Sequence, residues 1–338
     1  MSRLARLGVF LAASALLAGC VSGESSDGSV DAAPAGEVQL SLDYAYYNPE
    51  SLVIKEQGWL EEELGAGSVE WILSQGSNKA NENLRANVID IGSTAGTPAL
   101  LARANGSPIK SIDVYSRPEW SAIVVAAGSP ITSVEQLRGQ KVAATQGTDP
   151  YFFLLQALAQ AGLSASDVEI VNLQHSDGRT ALERGDVAAW AGLDPFMAQS
   201  ELEAGSTLIY RNLDFNSYGL LNATESFIEE QPELAQTVVT AYERARAWIA
   251  ENPDAAVQTL ATAAGIDPEI ARRQLTERTD LAIDPVPGEP QRAVLSRLLP
   301  LLVADGLVRS EQEATTALDT LFEPRFAEAA RGTGSAGA

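Results

Sequence analysis

One cysteine, one histidine and two methionines are all that 338 residues hold of the softer metal-ligating and nucleophilic side chains. With Cys20 alone, the chain has no disulfide, no Cys-x-x-Cys pair and no thiolate metal site. His175 has Ser176 and Asp177 beside it, but neighbours in sequence do not make the separated, converging geometry of a catalytic triad. A metal site would have to be all carboxylate or lean on His175, which excludes the usual zinc and copper arrangements. "GSTAG" is not a Gly-x-Ser-x-Gly elbow, because Thr94 stands in the middle, and no Gly-x-x-x-x-Gly-Lys-Ser/Thr phosphate loop occurs. Basic residues are scarce too. The 23 Lys and Arg face 45 Asp and Glu, a net charge of −22, so phosphate backbones would repel the chain and nucleic acid is excluded as a partner. The surplus acid reads as a solvated surface and leaves the local field of any cleft open. Together these absences argue against an enzyme, and no cofactor or metal is expected.

Long apolar runs are also missing. The longest, "LGVFLAASALLAG", is thirteen residues, follows Arg3 and Arg6, and is too short to anchor across a bilayer. It reads as the core of a signal peptide over residues 1–19. It runs into Leu17-Ala18-Gly19-Cys20, which resembles a bacterial lipobox and implies cleavage before Cys20 and lipid attachment to it. Residues 20–36, "CVSGESSDGSVDAAPAG", have too little bulk to form a core and read as a flexible tether. Losing Arg3 and Arg6 takes the formal charge from −22 to −24.

What is present is one pattern used repeatedly. In "VQLSLDYAYYNPESLVIKEQG" an alternating apolar run meets Asn48-Pro49 and gives way to helical spacing that ends at Gly58. "VIDIGSTAGTPALLARANG" does the same, a strand from Val88 to Ile91, a turn through Gly92 to Gly96 and a restart at Thr97-Pro98. "KVAATQGTDPYFFLLQALAQAG" restarts at Thr148-Asp149-Pro150, and "VAAWAGLDPFMAQSELEAG" at Asp194-Pro195. "VEIVNLQHSDGRTALERG" is a fifth unit, capped by Ser176 or Asp177. Asn, Thr and Asp are favoured N-caps, and proline suits the first helical position because its missing N–H has no intrahelical acceptor there. Five strand-then-helix units predict a mostly parallel α/β sheet. In such a sheet a ligand lies beyond the carboxyl ends of the strands, where helix N-termini favour an anion without needing an arginine. After residue 222 the pattern becomes helical throughout, with fresh starts at Asn252-Pro253 and Asp267-Pro268.

Four segments, "DYAYYNPESLVIKEQGWLEEEL", "ANVIDIGSTAGTPALLARANG", "WSAIVVAAGSPITSVEQLRGQKVAATQGT" and "ALERGDVAAWAGLDPFMA", carry a resemblance in their order and spacing. They resemble the solute-binding lipoproteins of ABC importers for aliphatic sulfonates, taurine and nitrate, over about residues 37 to 325. The resemblance implies a two-lobe, periplasmic-binding-protein-like (type II) α/β fold with a ligand cleft between the lobes. Lobe I would be 37–122 plus 219–328 and lobe II 123–218, with crossings at "WSAIVVAA" and "NSYGLLNA" and a disordered tail at 329–338. It implies ligand contacts from Tyr46, Tyr47 and Asn48, from Ser93, Thr94, Ala95 and Gly96, and from Trp120 and Ser121. Gly147, Thr148, Asp149, Trp190 and Asp194 would complete the set. Hydroxyls and amides would hold an oxyanion head and aromatic faces an organic tail.

Other roles stand beside these. Tyr46 and Tyr47, if on a strand, point to opposite faces, so at most one reaches the ligand. Trp190 suits the core as well as the cleft, whereas Trp59, Trp71 and Trp248 are assigned to packing. Asp149 and Asp194 serve as plain N-caps or, facing the cleft, suit an amine-bearing or neutral ligand better than a bare anion. The expected protein is the receptor of an importer outside the cytoplasmic membrane, lipid-anchored, delivering a small organic anion to a permease with its ATPase. The alternatives are a receptor for a neutral heterocycle such as a thiamine-precursor pyrimidine, or a sensory lipoprotein.

Overall fold

The computed structural model describes residues 38–334; the expected signal peptide, Cys20 and the expected tether lie outside them. Eleven strands form among the described residues: β1 (Leu40–Tyr44), β2 (Val69–Leu73), β3 (Ile91–Ala95), β4 (Ile109–Pro118), β5 (Ser121–Val125), β6 (Lys141–Ala144), β7 (Glu169–Asn172), β8 (Ala189–Leu193), β9 (Thr207–Tyr210), β10 (Gly219–Thr224) and β11 (Thr279–Asp280). They make two sheets, one of six strands in the order β11-β4-β10-β3-β1-β2 and one of five in the order β7-β6-β8-β5-β9. Both are mixed rather than mostly parallel. The pairs β1–β2, β1–β3, β6–β7 and β6–β8 are parallel, but β10 and β5 each run antiparallel to both neighbours. Those two strands carry the chain back after it crosses between sheets, so their direction reverses. The crossings fall at Glu119-Trp120 and between Tyr210 and Gly219, which puts Ser121 and Ala122 in the five-stranded sheet.

Each parallel strand leads into a helix, as the repeated pattern predicts. These are α1 (Pro49–Gln57), with α2 (Trp59–Leu64) directly behind it, α3 (Ser77–Arg85), α4 (Gly96–Ala104), α5 (Asp149–Gln160), α6 (His175–Arg184) and α7 (Phe196–Ala204). Asn48 caps α1 as expected, its side chain accepting from Ser51 N at 3.2 Å, and Gly58 ends the helix at φ 66°. The caps of α6 and α7 differ, falling on Gln174 and Pro195. Asp194 still receives Ala198 N at 2.9 Å, so its carboxylate serves the first turn of α7 from one residue further out.

β3 lies later than its composition suggests: it begins at Ile91, so Val88, Ile89 and Asp90, expected as strand, precede it. Gly92, Ser93, Thr94 and Ala95, read as a turn, are strand residues enclosed between β1 and β10. Position 92 is tight, since a Cβ on Gly92 would lie 2.9 Å from the Ile89 side chain. Beyond β10 come α8 (Glu225–Glu230), α9 (Pro232–Glu251), α10 (Pro253–Ala264) and α11 (Pro268–Arg272), starting where Asn252-Pro253 and Asp267-Pro268 predict. Four further α-helices follow, of which the last, Arg325–Gly334, continues past the expected end of order at 328. Phe326, Ala327 and Ala330 are buried against the core of α9, which holds that helix in place.

Candidate functional site

A cavity of about 70 Å3 lies where the carboxyl ends of the two sheets face each other. The six-stranded sheet supplies Tyr46 and Tyr47 from the turn after β1, and Leu73, Ser74 and Gln75 from the end of β2. The five-stranded sheet supplies Gln174, His175 and Ser176 at the start of α6, and Leu193 through Phe196 between β8 and α7. A smaller space of about 10 Å3 continues from it, sharing Tyr47 and Leu193 and walled by Ser77, Ala95, Trp120, Thr148, Asp149 and Pro150. The N-terminal ends of α1, α3, α5, α6 and α7 therefore contribute residues at or beside one enclosed region. Their first-turn amides have no acceptors within their own helices.

No lysine or arginine lines the cavity, and Asp194 is the one acid in its wall. Burial raises the Asp194 pKa to about 6, against the pull of Arg278 and the Ala198 amide. Arg278 donates to both Asp194 oxygens, at 3.1 and 3.3 Å. His175 stays neutral, because complete burial lowers its pKa to about 3. Its tautomer follows from Thr145. That hydroxyl donates to Leu173 O at 2.7 Å, so at 3.1 Å it accepts from His175 Nδ1–H. Nε2 is left as a bare acceptor, and neither it nor the Gln174 side-chain oxygen has a donor. Gly76 is what lets the two halves approach here, since a Cβ on it would lie 2.9 Å from His175 Nε2.

Of the residues expected from sequence, Tyr46, Tyr47, Ala95, Trp120, Thr148, Asp149 and Asp194 reach these two spaces. Both tyrosines do so because β1 ends at Tyr44 and they occupy a turn closed by Asn48 N to Ala45 O at 3.0 Å; strand alternation does not apply to them. Asp149 is occupied by the protein itself, accepting from Trp120 Nε1 at 2.9 Å, Ser217 N at 2.7 Å and Ser217 Oγ at 2.6 Å.

The other expected residues lie elsewhere. Asn48 caps α1 and donates to Tyr242 Oη at 3.0 Å. Ser93 donates from both N and Oγ to Asp43, and Thr94 accepts from Asn222 Nδ2 at 2.8 Å inside the sheet. Gly96 N bonds to Tyr218 O, and Ser121 N to Asn216 Oδ1. Gly147, at φ 77°, lines an outer groove with Asn78 and Arg85. Trp190 is fully buried with Ala122, Val124, Ala143, Leu182 and Met197, so it packs in the core away from the cavity.

Sequence reasoning missed α3 as a unit, named no wall residue at the α6 start although it counted that unit, and missed Arg278. The signal for α3 was available: "VEWILSQGSNKANENLRAN" alternates to Leu73 and restarts at Gly76-Ser77 like the other units. Arg278 is 84 positions from Asp194, and nothing local announces the pair.

Two α/β sheets that bury a small cavity between the ends of their strands, with the chain crossing between them twice, define a solute-binding receptor of the periplasmic-binding-protein fold. The model of the NMT1/THI5-like family matches residues 50–256, and the chain belongs to that family. A protein of Escherichia coli K12 named for binding aliphatic sulfonates is 28% identical over 260 residues, 76% of this chain and 82% of the relative. One of Bacillus subtilis 168 with the same naming is 26% identical over 310 residues, 90% and 86% of the two chains. Among solved structures, the alkanesulfonate-binding protein SsuA of Xanthomonas axonopodis pv. citri, bound to MOPS, superposes with a TM-score of 0.74 at 23% identity, covering 84% of this chain and 98% of that one. Among the described residues no helix is long and apolar enough to cross a membrane, and no group of three His, Cys, Asp or Glu is arranged to hold a metal ion.

Proposed function

We propose that the protein captures a small organic sulfonate in the cavity between its two sheets and delivers it to an ABC permease, without catalysing a reaction. The observation that carries this reading is the cavity itself: several helix N-termini beside it, no cationic side chain in its wall, and its one acid paired. Partial positive charge from aligned amides favours an anion there. The volume of about 70 Å3 takes roughly five water-sized groups, which suits a short alkanesulfonate. Two lobes, divided near the crossings at residues 119–120 and 211–218, would close over the solute. Ligand drives that closing only by binding the closed form better than the open one. Lipid on Cys20 would hold the receptor outside the cytoplasmic membrane, near its permease.

A second reading, capture of a neutral N–H-bearing heterocycle, is favoured by His175 Nε2 and the Gln174 oxygen, two buried acceptors without donors. A thermal-shift screen against ethanesulfonate, 2-aminoethanesulfonate, nitrate and a 4-aminopyrimidine separates the two. The first reading expects stabilisation by the sulfonates, and stabilisation by the pyrimidine alone replaces it with the second.

A further inference from the structure

Arg278 precedes the short edge strand β11, which pairs with β4 in the six-stranded sheet, and its main-chain oxygen accepts from Glu119 N at 2.7 Å. Its side chain leaves that sheet. The guanidinium bonds both oxygens of Asp194, at the end of β8 in the five-stranded sheet, and also Glu201 on α7. Arg278 and Asp194 are buried, with side-chain exposures of 4% and 1%. Asp194 is at the same time the only acid in the cavity wall. The side chain that cancels the wall's negative charge is therefore supplied from the opposite half of the molecule.

We propose that Arg278 is a specificity-determining latch: by reaching across to Asp194 and Glu201 it fastens the two halves together and makes the cavity electrically acceptable to an anion in the same step. While the halves are apart, Asp194 is solvated and charged, and it repels an anionic guest. When they meet, Arg278 pairs with it and the wall no longer opposes the anion. Its planar fork places Nη1 on both Asp194 oxygens and Nη2 on Glu201, a fixed span over two carboxylates that the single nitrogen of a lysine does not supply. An anion-selective cleft with a carboxylate in its wall becomes intelligible on this basis. The latch deepens the sulfonate reading and rests on it for the ligand's charge.

The test uses calorimetric titration with ethanesulfonate and with ethanesulfonamide, an uncharged probe of similar shape. Arg278→Met is expected to weaken ethanesulfonate binding at least about tenfold, with a much smaller effect on the sulfonamide. Adding Asp194→Asn to that variant is expected to bring the sulfonate affinity back to within about threefold of the native value, because the uncompensated charge in the cavity wall is gone and Glu201 lies outside that wall. Equal losses for both probes, or no recovery in the double variant, overturn the proposal. If Arg278→Met does not fold, Arg278→Lys serves, with an intermediate loss expected.

Spin labels at Glu62→Cys and Asp177→Cys, in a Cys20→Ser background, read the latch without any ligand. The distance distribution between the halves should shift and broaden in Arg278→Met, and an unchanged distribution overturns the latch. If the native protein binds neither probe while the distances shift as expected, the sulfonate reading fails and the fastening role of Arg278 stands.

Discussion

Asp149 shows how one side chain can tie several segments together. Trp120 lies at the first crossing and Ser217 at the second, and the Asp149 carboxylate at the start of α5 accepts from both. Both crossings are thereby bound to one helix start in the five-stranded sheet. Asp149→Ala strands three buried donors, and the expected loss is about 3 kcal/mol, read from the urea midpoint. Asp149→Asn keeps an accepting oxygen and should lose less. Asp43 carries a different prediction. Burial raises its pKa to about 7, although Ser74 and Ser93 oppose the shift. The folded carboxyl holds a proton that the unfolded chain releases near pH 4, so its contribution is complete below that pH and is lost as pH rises toward 7. Asp43→Asn does not ionise. Relative to the native protein it should gain stability between pH 5 and 7, by up to about 1.4 kcal/mol per pH unit. A constant difference across that range contradicts the assignment.

The packing of α6 on β8 depends on the absence of a side chain at Gly178. A Cβ there would lie 2.7 Å from Trp190 Nε1, and Trp190 has no room to move, being fully buried. Gly178→Ala is expected to cost about 1–3 kcal/mol in chemical denaturation, and a neutral outcome would mean that the tryptophan repacks. Legibility in the sequence followed the same physics. Helices whose start carried Asx-Pro or Thr-Asp-Pro were placed where expected, because cap and proline are local signals, although at α7 the cap falls on Pro195 rather than Asp194. β3 was placed too early, over 88–91, because Gly-Ser-Thr-Ala-Gly has turn composition, while the strand's real constraint is the closeness of Leu84 and Ile89 around Gly92. α3 was overlooked because "SNKANENLR" buries only Ser77, Ala80 and Leu84, too thin a stripe to stand out in a polar segment.

For the molecule as a whole, the family resemblance foretold the two-lobe receptor architecture but only part of the cavity wall, namely Tyr46, Tyr47 and Asp194. That wall is made by residues brought together from positions 46 to 196, and the pairing of Asp194 with Arg278 depends on the two sheets meeting. Trp190 and Ser93 have the right chemistry for a ligand site but face the core and the sheet, a distinction that only tertiary packing creates. The tethered form carries its own prediction. Cys20→Ser should shift the protein from the membrane to the soluble fraction on cell fractionation, and retention in the membrane would refute lipid anchoring. The location of binding is tested most directly by calorimetric titration of the native protein and of Ser74→Phe with ethanesulfonate. The account predicts one site per chain with a Kd on the order of 1 μM in the native protein and no measurable heat once the phenyl ring fills the cavity. Equal binding by the folded variant would place the site elsewhere and contradict the account.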